Sequence, residues 1–456
     1  MKVFLALLAL AALAQASMPM KEVNRFTNYE KHRLHREPPL DKDAIFNALE
    51  VVETKWIEQP LNHFDPQDHR VWQMRYMENR EFLQDGGPIF IYVGGEWTIS
   101  EGWLRSSHFH YMAEQLNGTL YYTEHRYYGE SHPTEDLTVD NLRFLNIDQA
   151  LADLAHFITH IKQTTPELQN SGVILIGASY SATMVTWFMQ KYPHLARGAW
   201  SSSAPLEAKV DFVEYKEVVS EAFEIVGGEN CTRRIRNAFE ELEAIFAAGN
   251  ASRIEDLFHF CSPFDLTNEL DVWSFFSDVA GPFSGIVQYH RDYTRDIERN
   301  CDFLVNNDIE NDLDALIRWW WYPGPTGGQC YNHLYESFIR DFNGTSWDSL
   351  AARTEIRQWY YQTCAEYGWY QTSGSENILF GSNFPVGLSL QICADMYSGI
   401  FTPEIVEGNV NRTNIMYGAL NPNVRNVYST HGQLDPWRSM GVQEDINEWS
   451  PTVILP

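Results

Sequence analysis

Apolar positions fall into two patterns along the chain. Short apolar runs at residues 88–93, 120–123, 173–176 and 198–201 have the length of buried strands. Between two of them Leu151, Leu154, Ala155, Ile158 and Ile161 recur at helical spacing, behind Asp148 as a cap. Strand–helix alternation of this kind predicts an α/β fold built on a parallel sheet. After residue 207 the pattern changes. Ile235, Ala238, Phe239, Leu242, Ile245 and Phe246 form an amphipathic helix that Gly249 can terminate, and the chain reads as mainly helical to about residue 411. Strand-like runs return at residues 424–428 and 452–455. The order predicts a sheet interrupted by a helical cap, with parts at 51–207, 208–411 and 412–456. No internal repeat is visible.

The first fifty residues carry an address rather than a fold. Lys2 precedes an apolar run from Val3 to Ala14, and Ala14-Gln15-Ala16 fits a small-x-small cleavage pattern before Ser17. Residues 1–16 therefore read as a secretory signal peptide, since a membrane span needs about 20 apolar residues. Residues 17–50 are polar and patternless, a loose leader or propeptide. No other stretch approaches membrane length, so no membrane span is expected, and delivery through the secretory pathway to lysosome or extracellular space follows. Asn117, Asn230, Asn250, Asn343 and Asn411 each head an Asn-x-Ser/Thr sequon, which suggests a glycosylated surface there.

Charge and cysteine usage narrow the partners. Lys and Arg total 33 against 61 Asp and Glu, a formal charge of −28 that repels nucleic acid and anionic membranes. The six cysteines, Cys231, Cys261, Cys301, Cys330, Cys364 and Cys393, are even in number, and none lies in a close zinc-type pair. Disulfides suit an oxidising lumen, with 15 pairings open to six cysteines. No phosphate loop and no metal-spaced His/Cys cluster occurs in the sequence, so neither cofactor nor metal is expected.

One segment carries the chemistry. Residues 174–176 run into Gly177-Ala178-Ser179-Tyr180-Ser181-Ala182, and a helical stretch follows to Lys191. A strand, a small-residue turn and a helix make a nucleophile elbow, which lifts the serine hydroxyl above the sheet. Residues two before and two after must be small. Gly177 satisfies this, whereas Ser181 replaces the usual second glycine, a departure expected to add strain. Ser179 is the candidate nucleophile. In such folds the orienting acid and the histidine follow the serine in the chain. Asp435, in the loop after the 424–428 strand, is the candidate acid. The backbone amide of Tyr180 and the Gly94-Gly95 turn, above all Gly95, are the candidate oxyanion donors.

These residues resemble the proline-specific serine peptidases, a family that includes lysosomal Pro-Xaa carboxypeptidase, dipeptidyl peptidase II and thymus-specific serine protease. The resemblance spans most of the chain. It runs through Gln59-Pro60-Leu61-Asn62-His63-Phe64, Gly94-Gly95-Glu96 and Glu124-His125-Arg126-Tyr127-Tyr128-Gly129-Glu130-Ser131-His132-Pro133. It continues in Gln149-Ala150-Leu151-Ala152-Asp153, Ser202-Ser203-Ala204-Pro205, Trp359 to Cys364 with Glu366 and Gly368, and Asp435-Pro436-Trp437. The Gly-Gly-Glu turn places it nearest the thymus-specific branch. The resemblance implies an α/β-hydrolase sheet with a disulfide-linked helical cap and exopeptidase action on peptides after proline or another small apolar residue. It further implies Ser179 as nucleophile, Asp435 as triad acid, Trp437 and Glu96 in the substrate pocket, and a homodimer as the assembly. It also implies pairing of Cys231 with Cys301, Cys261 with Cys330, and Cys364 with Cys393.

The family places its histidine beyond the Asp-Pro-Trp, and this sequence has none after His431. His431 precedes Asp435 by four residues, in a loop too short for it to face both acid and nucleophile; His125 is expected to be structural or pocket-shaping. Two explanations compete at this stage: a truncated sequence of an active peptidase, or a catalytically impaired binding member. A carboxylic-ester hydrolase on the same fold is a third possibility, since fold does not fix the acyl group.

Overall fold

The computed structural model describes residues 21–23, 51–306, 308–322 and 329–456. The signal peptide, and the leader apart from 21–23, lie outside the described residues. The chain separates into two compact units, one ending its first stretch at Val219 and resuming at Ile339–Ser375 and Val386–Pro456, the other holding Ser220–Phe338 and Glu376–Pro385.

The larger unit is built on an eight-stranded sheet. Its strands are β1 (Val52–Pro60), β2 (Val71–Asn79), β3 (Ile89–Val93), β4 (Thr119–Thr123), β5 (Val173–Ala178), β6 (Gly198–Ser202), β7 (Val427–Gly432) and β8 (Thr452–Leu455). The spatial order is β8-β7-β6-β5-β3-β4-β2-β1, parallel from β8 through β4 and antiparallel where β2 meets β4 and β1. This is the α/β-hydrolase sheet. Every residue of β3 and β4 is buried, which explains their unbroken apolar runs: central parallel strands are covered on both faces. The hairpin β1–β2 gives no such signal. At the sheet's end β1 exposes Glu53, Thr54, Trp56 and Glu58, so its composition reads as surface.

Helix α1 (Ile147–Thr164) buries Ile147, Leu151, Leu154, Ile158 and Ile161 along one stripe. Its cap is Asn146, not the expected Asp148: the Asn146 side chain accepts from the Gln149 N–H, while Asp148 sits in the first turn and accepts from the Tyr417 hydroxyl at 2.5 Å. Two adjacent acceptors compete for the cap, and the one with extended backbone wins. Helix α2 (Tyr180–Lys191) follows β5 and is almost wholly buried.

The smaller unit is helical. Its helix α3 (Glu229–Ala247) buries Ile235, Ala238, Phe239 and Leu242, and Gly249 at φ +69° ends it, donating to the Phe246 carbonyl at 2.9 Å. Cys231–Cys301 and Cys261–Cys330 are disulfide-bonded in this unit, and Cys364–Cys393 in the sheet-bearing one. The helical unit is smaller than the expected 208–411, since 339–375 and 386–411 group with the sheet. Helical periodicity reveals an apolar face but not which partner covers it. Among the described residues no helix is long and apolar enough to cross a membrane.

Candidate active site

The turn between β5 and α2 has the shape the small residues require. Ser179 adopts φ 59°, ψ −133°, a conformation costing on the order of 1–3 kcal/mol for a residue with a side chain. The surroundings hold it there. Its N–H donates to the Ser202 carbonyl at 2.9 Å, and its own carbonyl accepts from the N–H groups of Ala182 and Thr183. A Cβ on Gly177 would lie 2.3 Å from the Ser181 carbonyl oxygen, so only glycine fits two residues before the serine. Ser181 fits two residues after because its buried hydroxyl closes on Ala178, accepting from the N–H at 2.9 Å and donating to the carbonyl at 3.0 Å. The strain expected of a serine at that position is offset by these bonds.

Strand register brings the oxyanion candidates alongside. Tyr92 pairs with Ile176 in the parallel β3–β5 ladder, so Gly95 and Ser179 each lie three residues beyond one row of the sheet. The Gly94 N–H is used, donating to the Thr123 carbonyl at 2.9 Å. The N–H groups of Gly95 and Tyr180 donate to nothing among the described residues. Two backbone donors are thus left unspent beside the serine. A Cβ on Gly95 would meet the Trp97 ring at 2.6 Å, a ring pinned by its indole bond to the Tyr122 hydroxyl. Glu96 follows, half-buried, and its charge is felt at the Tyr180 phenol.

The acid side comes from β7. Ala178, Ser202 and Thr430 form one row across β5, β6 and β7, so the loop after β7 leaves from the edge that carries Ser179. Asp435 caps the short turn Pro436–Met440 through Oδ1, which accepts from the Trp437 N–H at 2.9 Å. Its Oδ2 has no hydrogen-bond partner among the described residues. His431 Nδ1 stands 3.7 Å away, too far for a hydrogen bond. The imidazole is buried, both ring nitrogens lack partners, and it is wedged against Gly441, where a Cβ would lie 2.3 Å from its Cε1. His431 therefore bonds neither Asp435 nor Ser179. Trp437 packs edge-on to Tyr215 and Trp369 and tilted to Phe212, with centroids 5.5–5.8 Å apart. The parallel pairing of Gly432 with Leu455 brings β8 to the same edge.

Sequence reasoning did not resolve the supports beneath these groups. Arg75 and Glu124, both buried, make a two-pronged ion pair, and Glu124 also accepts from Ser131 Oγ and from the N–H groups of Ile99 and Glu130. Gly129 is required there: at φ +59°, its Cβ would lie 1.9 Å from Glu124 Oε1. Arg126 forms a second such pair with Asp153, which His63 also contacts at 2.7 Å. His125 is buried and, as expected, is part of the supporting structure. The only sequence signal was the density of polar and aromatic residues in 124–133, which marks the loop without giving its partners.

The family model described as Serine carboxypeptidase S28 matches residues 59–456. A Caenorhabditis elegans protein described as a serine protease is 30% identical, over 98% of this chain and 86% of its own. Thymus-specific serine protease of Mus musculus is 28% identical, over 89% of this chain and 81% of its own. Lysosomal Pro-X carboxypeptidase of Mus musculus is also 28% identical, over 90% and 83% respectively.

Proposed function

The chain belongs to the serine carboxypeptidase S28 family, and from that premise we propose that it is a serine exopeptidase hydrolysing bonds after proline or another small apolar residue. The observation that carries this reading is Ser179 at left-handed φ beside two unspent backbone N–H groups. Ser179 Oγ attacks the substrate carbonyl, and the oxygen that becomes negative is held by the N–H groups of Tyr180 and Gly95. The leaving amine departs with a proton, and water then releases the acid from Ser179. The serine proton needs a base to carry it to the leaving amine, and the unengaged Oδ2 of Asp435 is the acceptor that would orient one. Trp437, with Phe212, Tyr215 and Trp369 around it, forms an apolar wall suited to a proline ring, and Glu96 borders the pocket. The printed name of the Pro-X carboxypeptidase relative supports the preference for proline. All five sequon asparagines are exposed, which supports glycosylation and passage through the secretory pathway, to lysosome or extracellular space.

One observation favours a second reading, a binding member with impaired catalysis: no described histidine hydrogen-bonds the Ser179 hydroxyl. A fluorophosphonate probe separates the two. Covalent labelling at Ser179, absent in Ser179→Ala, together with release of an Xaa-Pro reporter but not of a neutral aryl ester, is the result expected of the peptidase. A folded protein that binds Xaa-Pro peptides yet leaves Ser179 unlabelled would establish the binding reading instead. Reading the transcript beyond the Pro456 codon tests whether a histidine follows.

A further inference from the structure

The residue after the nucleophile is a tyrosine whose ring is fully buried, and its hydroxyl sits at the centre of a polar cluster. His125 Nε2 lies 3.1 Å from it, Gln362 Nε2 2.9 Å and the Tyr367 hydroxyl 3.3 Å. The direction of each bond follows from chemistry. His125 Nδ1 is 2.7 Å from the Arg126 carbonyl, which can only accept, so Nδ1 carries the proton and Nε2 is bare. The Tyr180 hydroxyl therefore donates to His125 and accepts from the Gln362 amide. The amide's own orientation is fixed in turn, because Gln362 Oε1 accepts from the Tyr128 hydroxyl at 2.5 Å.

We propose that this hydroxyl anchors Tyr180 so that its backbone N–H is held as an oxyanion donor, with His125 and Gln362 as positioning residues. The inference rests on the reading of Ser179 as nucleophile. Tyr180 is the first residue of α2, where an N–H has no helical partner, and it adjoins a residue in strained backbone. An unanchored helix start would relax around that junction and tilt the N–H. Rings of Trp359, Tyr367 and His125 confine the phenol within 5.5–5.8 Å, but packing alone leaves the hydroxyl unexplained, since a phenylalanine would fill the same space. A buried hydroxyl is retained only where its bonds are made. Burial also pushes His125 down to about 4, which keeps Nε2 an acceptor well into acid.

The test compares the wild type with Tyr180→Phe, His125→Phe, His125→Gln and the double variant Y180F/H125F. Three quantities are read: the rate of fluorophosphonate labelling, kcat and KM on an Xaa-Pro reporter, and affinity for an Xaa-Pro boronic acid, which becomes tetrahedral when bound. Y180F and H125F are expected to lower labelling, kcat and boronate affinity about tenfold with KM unchanged, less than removal of a donor outright. H125Q, which can still accept, should keep most activity, and the double variant should be no worse than the worse single one. Folded Y180F with full labelling and full boronate affinity would overturn the proposal. So would losses that appear equally in KM and add in the double variant, which would mark simple packing. Should H125F fail to fold, Y180F, which removes one atom, decides alone. An unlabelled Ser179 in the wild type would instead sink the nucleophile reading, and this proposal with it.

Discussion

The two sides of the candidate site are built differently. On the nucleophile side, around β3, β5 and the elbow, polar groups close on one another: Ser179 on Ser202, Ser181 on Ala178, Tyr180 on His125 and Gln362. Among the described residues the Gly95 and Tyr180 N–H groups donate to nothing. On the acid side, over the seven residues from His431 in β7 to Trp437 in the turn after it, both nitrogens of His431, Oδ2 of Asp435 and Nε1 of Trp437 are buried without partners among the described residues. Each such atom costs on the order of 1–3 kcal/mol. The difference separates stability from function. Where bonds hold both fold and chemistry, a substitution damages both; where the reactive atom holds nothing, a substitution can remove chemistry and leave the fold intact.

The sharpest way to test that separation is Asp435→Asn. Asparagine keeps the Oδ1 cap on the Trp437 N–H and alters only the atom that bonds nothing. Turnover of an Xaa-Pro reporter is expected to fall by about 10⁴, the scale for removing an orienting carboxylate. The melting temperature should barely move. A drop of many degrees in the melt would show that the acid side also supports the fold.

Gly129→Ala is the matching experiment on the other side. The new methyl would strike Glu124 Oε1 and displace it from buried Arg75, which keeps Glu130 at 2.6 Å, leaving the buried Glu124 carboxylate short of its partner. The cost expected in urea denaturation is about 3–5 kcal/mol, with loss of labelling at Ser179 as the elbow's support moves. An unchanged midpoint would mean that the ion pair tolerates displacement, and the two sides would then be alike.

Much of this contrast could be read in the sequence, and the reason lies in chain separation. The elbow was legible because strand, Gly177, Ser179, Ser181 and helix are contiguous and sterically bound to one another. The place of Asp435 just past β7 was legible because a short loop after a strand keeps the two together. The supports were not: Gln362 reaches Tyr180 across 182 residues, and no local pattern encodes such a pairing. The β1–β2 hairpin was missed for a related reason, since exposed Glu53 and Glu58 carry no apolar period. The Cys364–Cys393 segment looked like part of the cap because a helix's apolar face does not name its partner.

Titration offers a further test of the nucleophile side. Burial holds neutral His125 down at about 4 and raises the Glu366 carboxyl, which faces the Ile147 N–H at the start of α1, to about 8. For His125 the unfolded chain binds the proton more readily, so its contribution is complete above about 6.5 and is lost as pH falls through 4. For Glu366 the folded state favours the proton, so its contribution is complete below about 4.5 and is lost as pH rises through 8. The slopes oppose each other between those unfolded values, giving a plateau near pH 4.5–6.5 and a decline on either side. Glu366→Gln should remove the alkaline decline and gain about 3 kcal/mol over the wild type between pH 5.5 and 8, measured by urea midpoints. Equal midpoints at both pH values would place Glu366 outside the cooperative core.

The smallest effect is expected at Ser181, and it asks whether bonds within the elbow serve fold, chemistry or both. Ser181→Ala removes the hydroxyl that both accepts from and donates to Ala178, at a cost of about 1 kcal/mol in stability and a few degrees in the melt. Ser179 keeps its own ties to Ser202, Ala182 and Thr183, so its conformation should persist and its labelling rate stay within about twofold. Ser181→Gly adds backbone freedom at a buried helical position and should cost about 1 kcal/mol more than alanine. If glycine instead raised the labelling rate about tenfold at that cost, the serine would be holding Ser179 back. Stability and reactivity would then be opposed within the nucleophile side itself, and the contrast between the two sides would no longer separate them.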